Sequence, residues 1–313
     1  MTAPTGTYLS SAAKGNREDL TDMIYRITPT VTPFMSMSAK GKATNTIHEW
    51  QVQDLAAAST TNAQLEGDDA TNKTVTATSR LTNYTQISTK TVQVSGTQRA
   101  MNAAGRSDEL GYQMSLAALE IRRDMESSAC QLGVAGTSPR QVRGLPGWVV
   151  DNTSKDAGTT LAVYPTTGGI GTDRTNSGTT RAFTEAQLKS VLQLQYTAGG
   201  EPDTLLMGPS AKQTFSTFTG NATRMDKSED GKLYSSIDVY VSDFGELKAV
   251  PNRFQATRDV FVLQADKWAF CYLRPFSTVD LAKTGDADRK EIVVEWTIEA
   301  RAPKANAAIY DLA

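Results

Sequence analysis

Between Ser107 and Leu132 the chain reads SDELGYQMSLAALEIRRDMESSACQL, with apolar residues at Leu110, Met114, Ala118, Ile121, Met125, Ala129 and Leu132. Spacings of three and four place these on one stripe of an α-helix. Ser107 suits the N-cap, Asp108 and Glu109 the positive N-terminal end, and Gly133 the C-terminal stop. Arg122 stands four residues before Glu126, the spacing of a helix-supporting pair on the polar side. At about 1.5 Å per residue the rod is roughly 38 Å long, about twice the mean globular helix. Two kinds of fold accommodate it: an ordinary domain with a long core helix, or a flat, extended subunit with this helix as its spine. The stripe lasts only about three to four heptads and carries Ala and Ser in its seam, which disfavours a coiled coil.

The flanking segments favour the extended subunit. Residues 1–46 read as an arm in which Gly6, Gly15 and Gly41 alternate with Pro4, Pro29 and Pro33. A short helix is expected from Arg17 to Arg26, capped by Asn16. TPTVTPFMSM after it reads as extended chain. Its apolar cluster of Val31, Phe34, Met35 and Met37 has no regular period and needs a surface that a lone monomer supplies with difficulty. Residues 47–100 read as two long β ribbons around a small, polar tip. Period two is visible from Ile47 to Gln53 and again from Thr82 to Val94. Such a long two-stranded ribbon does not stand alone in water, so a neighbouring subunit is the natural support.

Beyond the spine comes a turn-rich connector, GVAGTSPRQVRGLPGWV. The Thr- and Gly-rich stretch 151–181 reads as loop or weak hairpin that tolerates shortening over 166–178. Thr184 caps a helix with Leu188, Val191, Leu192 and Gln195 on its face, stopped at Gly199–Gly200. DTLLMG reads as a buried strand, Pro209 to Phe218 as a helix and SIDVYVSDFGELKAVPN as a hairpin. VFVLQADKWAFCYL reads as a strand pair, and EIVVEWTIEARAP as a strand ended by Pro303. Helices and strands mix without a βαβ repeat, so the class is α+β.

Chemistry is scarce. His48 is the sole histidine of 313 residues. A catalytic or metal role would need partners that the sequence does not place beside it, so a structural or solvated role is expected. Cys130 and Cys271 have no CxxC neighbour and read as buried, reduced thiols. Gly168, Gly169 and Gly171 precede no helix pattern, and no GxxxxGK[ST] occurs. Asp68–Asp69, Glu229–Asp230 and Asp286–Asp288 lie in polar turns and read as solvated. The chain is therefore expected to be no enzyme and to need no cofactor or metal. A net charge of −2 argues against a dedicated nucleic-acid binder, and no apolar run approaches a membrane span. MTAPTGTYLSSAAKGNRED lacks the charged start and apolar core of a signal peptide, so synthesis in a cytoplasm is expected.

Four stretches carry a resemblance: NREDLTDMIYRITPTVTPFMS at 16–36, NYTQISTKTVQVSGTQRA at 83–100, FTEAQLKSVLQLQYTAGGEPDTLLMGP at 183–209, and LRPFSTVDLAKTGDADRKEIVVEWTIEARAPKANAAIYDL at 273–312. In order and extent they resemble tailed-phage major capsid proteins of the Hong Kong 97 type, closest to the SU-ten-like group. The resemblance implies an N-arm at 1–46, an E-loop ribbon at 47–100, and a peripheral domain with spine helix at 101–150. It further implies an axial domain at 151–240 and returning strands of both domains at 241–313. The implied function is a shell subunit forming hexamers and pentamers of an icosahedral virion around double-stranded DNA, bound without sequence specificity. A nanocompartment shell of the same fold is the alternative. Implied partners are other copies of the chain, a portal, and scaffolding or decoration proteins, with no membrane; synthesis would be in a host bacterial cytoplasm. Expected inter-subunit contacts fall on Glu66, Asp68 and Asp69 at the ribbon tip, Arg122 and Arg123 on the spine, and Phe34 and Met35 in the arm.

Overall fold

The structure, a computed structural model, describes residues 31–70, 72, 74–101, 108–165, 169–175, 178–218 and 239–313. Ser107, the proposed helix 17–26 and Glu229–Asp230 lie outside them. The first half runs α1 (Pro33–Met37), β1 (Ala39–Lys42), β2 (Ile47–Val52), β3 (Ser79–Tyr84), β4 (Gln86–Ser95), α2 (Gly96–Ala100), α3 (Glu109–Gln131), β5 (Gly136–Thr137), β6 (Arg140–Gln141), α4 (Leu145–Trp148) and β7 (Asn152–Ser154). The second half runs α5 (Glu185–Thr197), β8 (Thr204–Met207), α6 (Pro209–Phe215), β9 (Val239–Ser242), β10 (Gly245–Pro251), β11 (Val260–Leu263), β12 (Trp268–Leu281), β13 (Ala287–Ala300) and β14 (Ala307–Ile309).

Two sheets organise these elements. The first has the order β1-β12-β13-β4, with β1 parallel to β12 and the other pairs antiparallel. The spine α3 lies across it, and Lys90 of β4 meets Asp124 at 3.1 Å and Glu120 at 3.7 Å. Alternate residues of β4 (Gln86, Ser88, Lys90, Val92, Val94) are the shielded ones, as period two requires. Between helix and sheet sits one apolar core containing Phe34, Ile121, Met125, Trp148, Trp268, Phe270 and Trp296. The second sheet has the order β7-β14-β11-β8-β10-β9. Its central strands β8 and β11 are buried at every residue, because both faces are covered. Leu188, Val191 and Leu192 of α5 and Phe215 of α6 cover one face. Leu206, Phe261, Ala308 and Tyr310 on the other join the large core.

Most elements arise where local pattern and capping agree. Asp108 caps α3 by accepting from the N–H groups of Leu110 and Gly111. Thr184 and Gln187 form a reciprocal capping box on α5, and Gly199 ends it with φ +86°. β9 and β10 form the expected hairpin.

Several expectations fail. TPTVTPFMSM is not extended throughout: Pro33–Met37 forms the helical turn α1, with Pro33 at its first position. The return strand 82–94 breaks at buried Thr85, so that β3 pairs with β2 and β4 with β13. Among the described residues, regular ribbon pairing therefore covers only Ile47–Val52 and Ser79–Tyr84. VFVLQADKWAFCYL yields two strands that do not pair with each other, since β11 and β12 belong to different sheets. The helix after Pro209 stops at Phe215 rather than Phe218. A boundary at 240 cuts β9 and separates β8 from β10, the strand that pairs with both β8 and β9.

Candidate assembly surfaces and the junctions that hold them

The arm joins the spine through one carboxylate. Glu126 is fully buried; Oε1 accepts from Phe34 N–H at 2.8 Å and from Asn252 Nδ2 at 2.8 Å, and Oε2 accepts from Met35 N–H at 2.9 Å. The two N–H groups belong to the first turn of α1, where no intrahelical acceptor exists. This explains why the turn forms where two prolines suggested extension. It also removes the expected Arg122–Glu126 pair. Burial pushes the Glu126 carboxyl above its ordinary value, and the donors from Met35, Phe34 and Asn252 only partly oppose this. Phe34 packs edge-on against Trp268 and Phe270 at ring distances of 5.6 and 5.5 Å. Its full burial contributes roughly 1.5–3 kcal/mol. Phe34 is thus no inter-subunit contact: its surface lies within its own chain. Met35 is half-buried against the same core.

The ribbon root is held by polar networks. Asn83 donates to the carbonyls of Arg143 and Ile298. Thr85 donates to Glu295 at 2.9 Å, and Glu295 also pairs with Arg140 at 2.7 Å and Arg274 at 2.9 Å. Burial alone would raise the Glu295 carboxyl, but these donors outweigh it and hold the group below its ordinary range. Arg143 is buried, donating to the carbonyls of Gly147, Val163 and Thr172 at 2.7, 3.2 and 2.8 Å. Burial lowers its pKa to about 10. Its reach to Val163 and Thr172 ties down the 151–181 stretch, a weak hairpin with bridges Thr160–Thr175 and Val163–Thr172. Arg174, within the span 166–178, donates to buried Asp259 at 2.9 Å and stacks 3.9 Å from the Tyr310 ring. Shortening there would remove this anchor, so the anchor argues against the expected tolerance. Asp288 is likewise no merely solvated acid, since it pairs with Arg99 and with Lys283.

His48 also has partners after all. Its Nε2 lies 3.3 Å from Glu299 Oε2, and the Cys271 thiol donates to the same oxygen at 3.3 Å. The three donors lie within 4.8 Å of one another. No local spacing could show this, because Glu299 lies 251 residues from His48. The hydrogen bond from His48 chiefly, with that from Cys271, holds Glu299 down to about 2. Burial and the neighbouring carboxylate push the Cys271 thiol up to about 12. Both cysteines are unbridged and buried.

The remaining residues of the expected contacts lie on outward surfaces. Between β2 and β3 the ribbon has no strand among its described residues, and Leu55, Leu65 and Val75 are 97, 81 and 85 % exposed. Glu66, Asp68 and Asp69 are exposed at the tip. Arg122 is exposed on α3 with its guanidinium 5.8 Å from the Phe276 ring, and Arg123, half-buried, lies 5.5 Å from Phe254. No contact between these acids and arginines occurs within the chain's described residues. Val239 and Val241 are exposed on β9, which among the described residues is an edge strand open to another strand.

Three comparisons bear on this architecture. A family model described as SU10 major capsid protein matches residues 3–313. The chain is 26 % identical to a major capsid protein of Escherichia phage Phieco32, over 100 % of this chain and 99 % of that one. Among solved structures, the capsid subunit of Cyanophage A-1(L) aligns with TM-score 0.69 at 14 % identity, covering 97 % of this chain and 98 % of the other. The SrpI encapsulin of Synechococcus elongatus aligns with TM-score 0.56 at 12 % identity, covering 95 % and 92 %.

Proposed function

Because this chain belongs to the SU10 major capsid protein family, we propose that its exposed ribbon and arm are assembly elements by which identical copies close into hexamers and pentamers of an icosahedral phage head. The fold is the Hong Kong 97-type capsid fold, and the protein is a shell subunit. In this reading α3 and the four-stranded sheet form the peripheral domain, and the six-stranded sheet forms the axial domain. The E-loop is the stretch from β2 to β3. The role is mechanical rather than enzymatic. The finer partners are packaged double-stranded DNA, a portal, and scaffolding or decoration proteins. The shell would reside in the virion after synthesis in the bacterial cytoplasm.

One observation carries the reading: beyond the ribbon's root, the segment between β2 and β3 exposes Leu55, Leu65 and Val75, with no sheet of the described residues beneath it. A two-stranded ribbon of this kind is marginal alone, and a copy of the chain laid beneath it supplies the missing face. Sedimentation of the purified chain tests this. Shell-sized particles are expected; a monomer that never assembles overturns it.

The encapsulin likeness keeps a second reading, a nanocompartment enclosing protein cargo. Nuclease-resistant DNA in particles from infected cells supports the phage head; particles with enzyme cargo and no DNA support the compartment.

A further inference from the structure

We propose that His48, Cys271 and Glu299 form a zinc-class metal site that staples the root of the ribbon to the four-stranded sheet. The donors come from three strands. His48 lies on β2, Cys271 on β12 and Glu299 on β13. Glu299 stands opposite Ala269 in the β12–β13 register, so Cys271, two residues on, shares its face as a diagonal neighbour. His48 Nε2 and Cys271 Sγ each lie 3.3 Å from Glu299 Oε2. Zinc bound tetrahedrally, with bonds of about 2.0–2.3 Å, holds adjacent donor atoms roughly 3.3–3.5 Å apart. Both pairs that include Glu299 thus stand at coordination spacing, and all three donor atoms lie within 4.8 Å of one another.

Their chemistry selects the metal class. One thiolate, one imidazole and one carboxylate suit zinc, whereas calcium and magnesium take oxygen ligands. The surroundings fit a built site. Gly41 of β1 pairs with Cys271, and a Cβ at Gly41 would come within 2.5 Å of the sulfur. Arg301 Nε donates to the other oxygen, Glu299 Oε1, at 3.3 Å and fixes the carboxylate's orientation. The Trp50 ring, 5.7 Å from His48, covers one side, and Trp50 itself donates to the Ala300 carbonyl at 2.8 Å. Three protein donors leave a fourth position for water. Binding changes no oxidation state: the Cys271 thiol proton leaves to solvent, the proton that His48 Nε2 shares with Glu299 moves by way of solvent to Nδ1 so that Nε2 offers its lone pair, and the ion takes the place of both hydrogens.

The site matters for assembly because His48 lies at the ribbon's root and the other two donors on the sheet. Metal would fix the ribbon's exit direction before a neighbour meets it.

Assembled particles would be loaded with cobalt(II), a spectroscopic stand-in for zinc, and freed of excess ion. Parent particles should hold roughly one ion per chain and show a thiolate-to-cobalt charge-transfer band that added zinc removes. C130S should keep the band, while C271S and H48Q should lose it and hold at least ~10-fold less metal. If C271S or H48Q fails to assemble, the parent's zinc-displaceable band and its persistence in C130S decide the matter. Parent particles without the band, or particles of C271S or H48Q that retain as much metal as the parent, would overturn the proposal.

Discussion

Replacing Glu126 with alanine removes a carboxylate that accepts from two backbone N–H groups of α1, from Asn252 and, at 4.0 Å, from the Cys130 thiol. Phe34 is fully buried, so water cannot reach its N–H without opening the arm. A buried donor left without an acceptor costs about 1–3 kcal/mol. Asn252 retains a contact to the Cys130 sulfur at 3.3 Å, which softens its loss. Loss of the buried charge also relieves the desolvation that raises the Glu126 carboxyl. The net expectation is about 2–4 kcal/mol, felt first where the arm leaves the spine. Amide hydrogen exchange on assembled particles reads this locally. Exchange at Phe34 and Met35 should accelerate roughly 30- to 700-fold, since about 1.4 kcal/mol is tenfold. Peptides from β8 and β11 should change little, because they lie in the other sheet's centre. E126Q should fall between parent and E126A, since one amide oxygen replaces two acceptors and the amide nitrogen faces a donor. Unchanged exchange at Phe34 in E126A would refute the claim that this carboxylate pins the arm.

R174A strands the Asp259 carboxylate in the core and should cost about 3–5 kcal/mol, seen as a lowered melting temperature or lost soluble yield. Deleting 166–178 removes the same cation and should fail similarly; a deletion that assembles like the parent would count against the Arg174 anchor. Glu295 is depressed in the folded state, so its stabilisation is complete above the unfolded value of 4.5 and is lost as pH falls below it. Melting of the parent should therefore drop more steeply below pH 4.5 than that of E295Q. Reversing Glu66, Asp68 and Asp69 to Lys should lower particle yield at low salt, with Arg122→Glu or Arg123→Glu partly restoring it and high salt shrinking the effect. Each exposed pair is worth only about 0–1 kcal/mol, so parental yield at low salt would mean docking by backbone and shape.

The elements readable in sequence were those whose cause is local. The α5 face of Leu188, Val191, Leu192 and Gln195 follows from period and cap alone, and all four are buried. α3 was legible for the same reason. Its burial nevertheless includes Glu126, which periodicity assigns to the polar side. The misreadings share a long-range cause. α1 depends on a carboxylate 92 residues away. The break at Thr85 depends on Glu295, 210 residues on. The donor cluster of His48, Cys271 and Glu299 joins distant strands, and no spacing rule detects that. A signal did exist for Arg174: a cation amid Thr and Gly with no local acid to hold it except Asp173. The tip acids and spine arginines remain legible only as charges, since their proposed partner is another copy of the chain.

The ribbon's resting place is decided most directly by electron cryomicroscopy of purified, assembled particles. The expected result is a closed shell in which the segment between β2 and β3 lies over an adjacent subunit and buries Leu55, Leu65 and Val75. A closed shell whose ribbons project into solvent, with those three side chains exposed, would contradict the account.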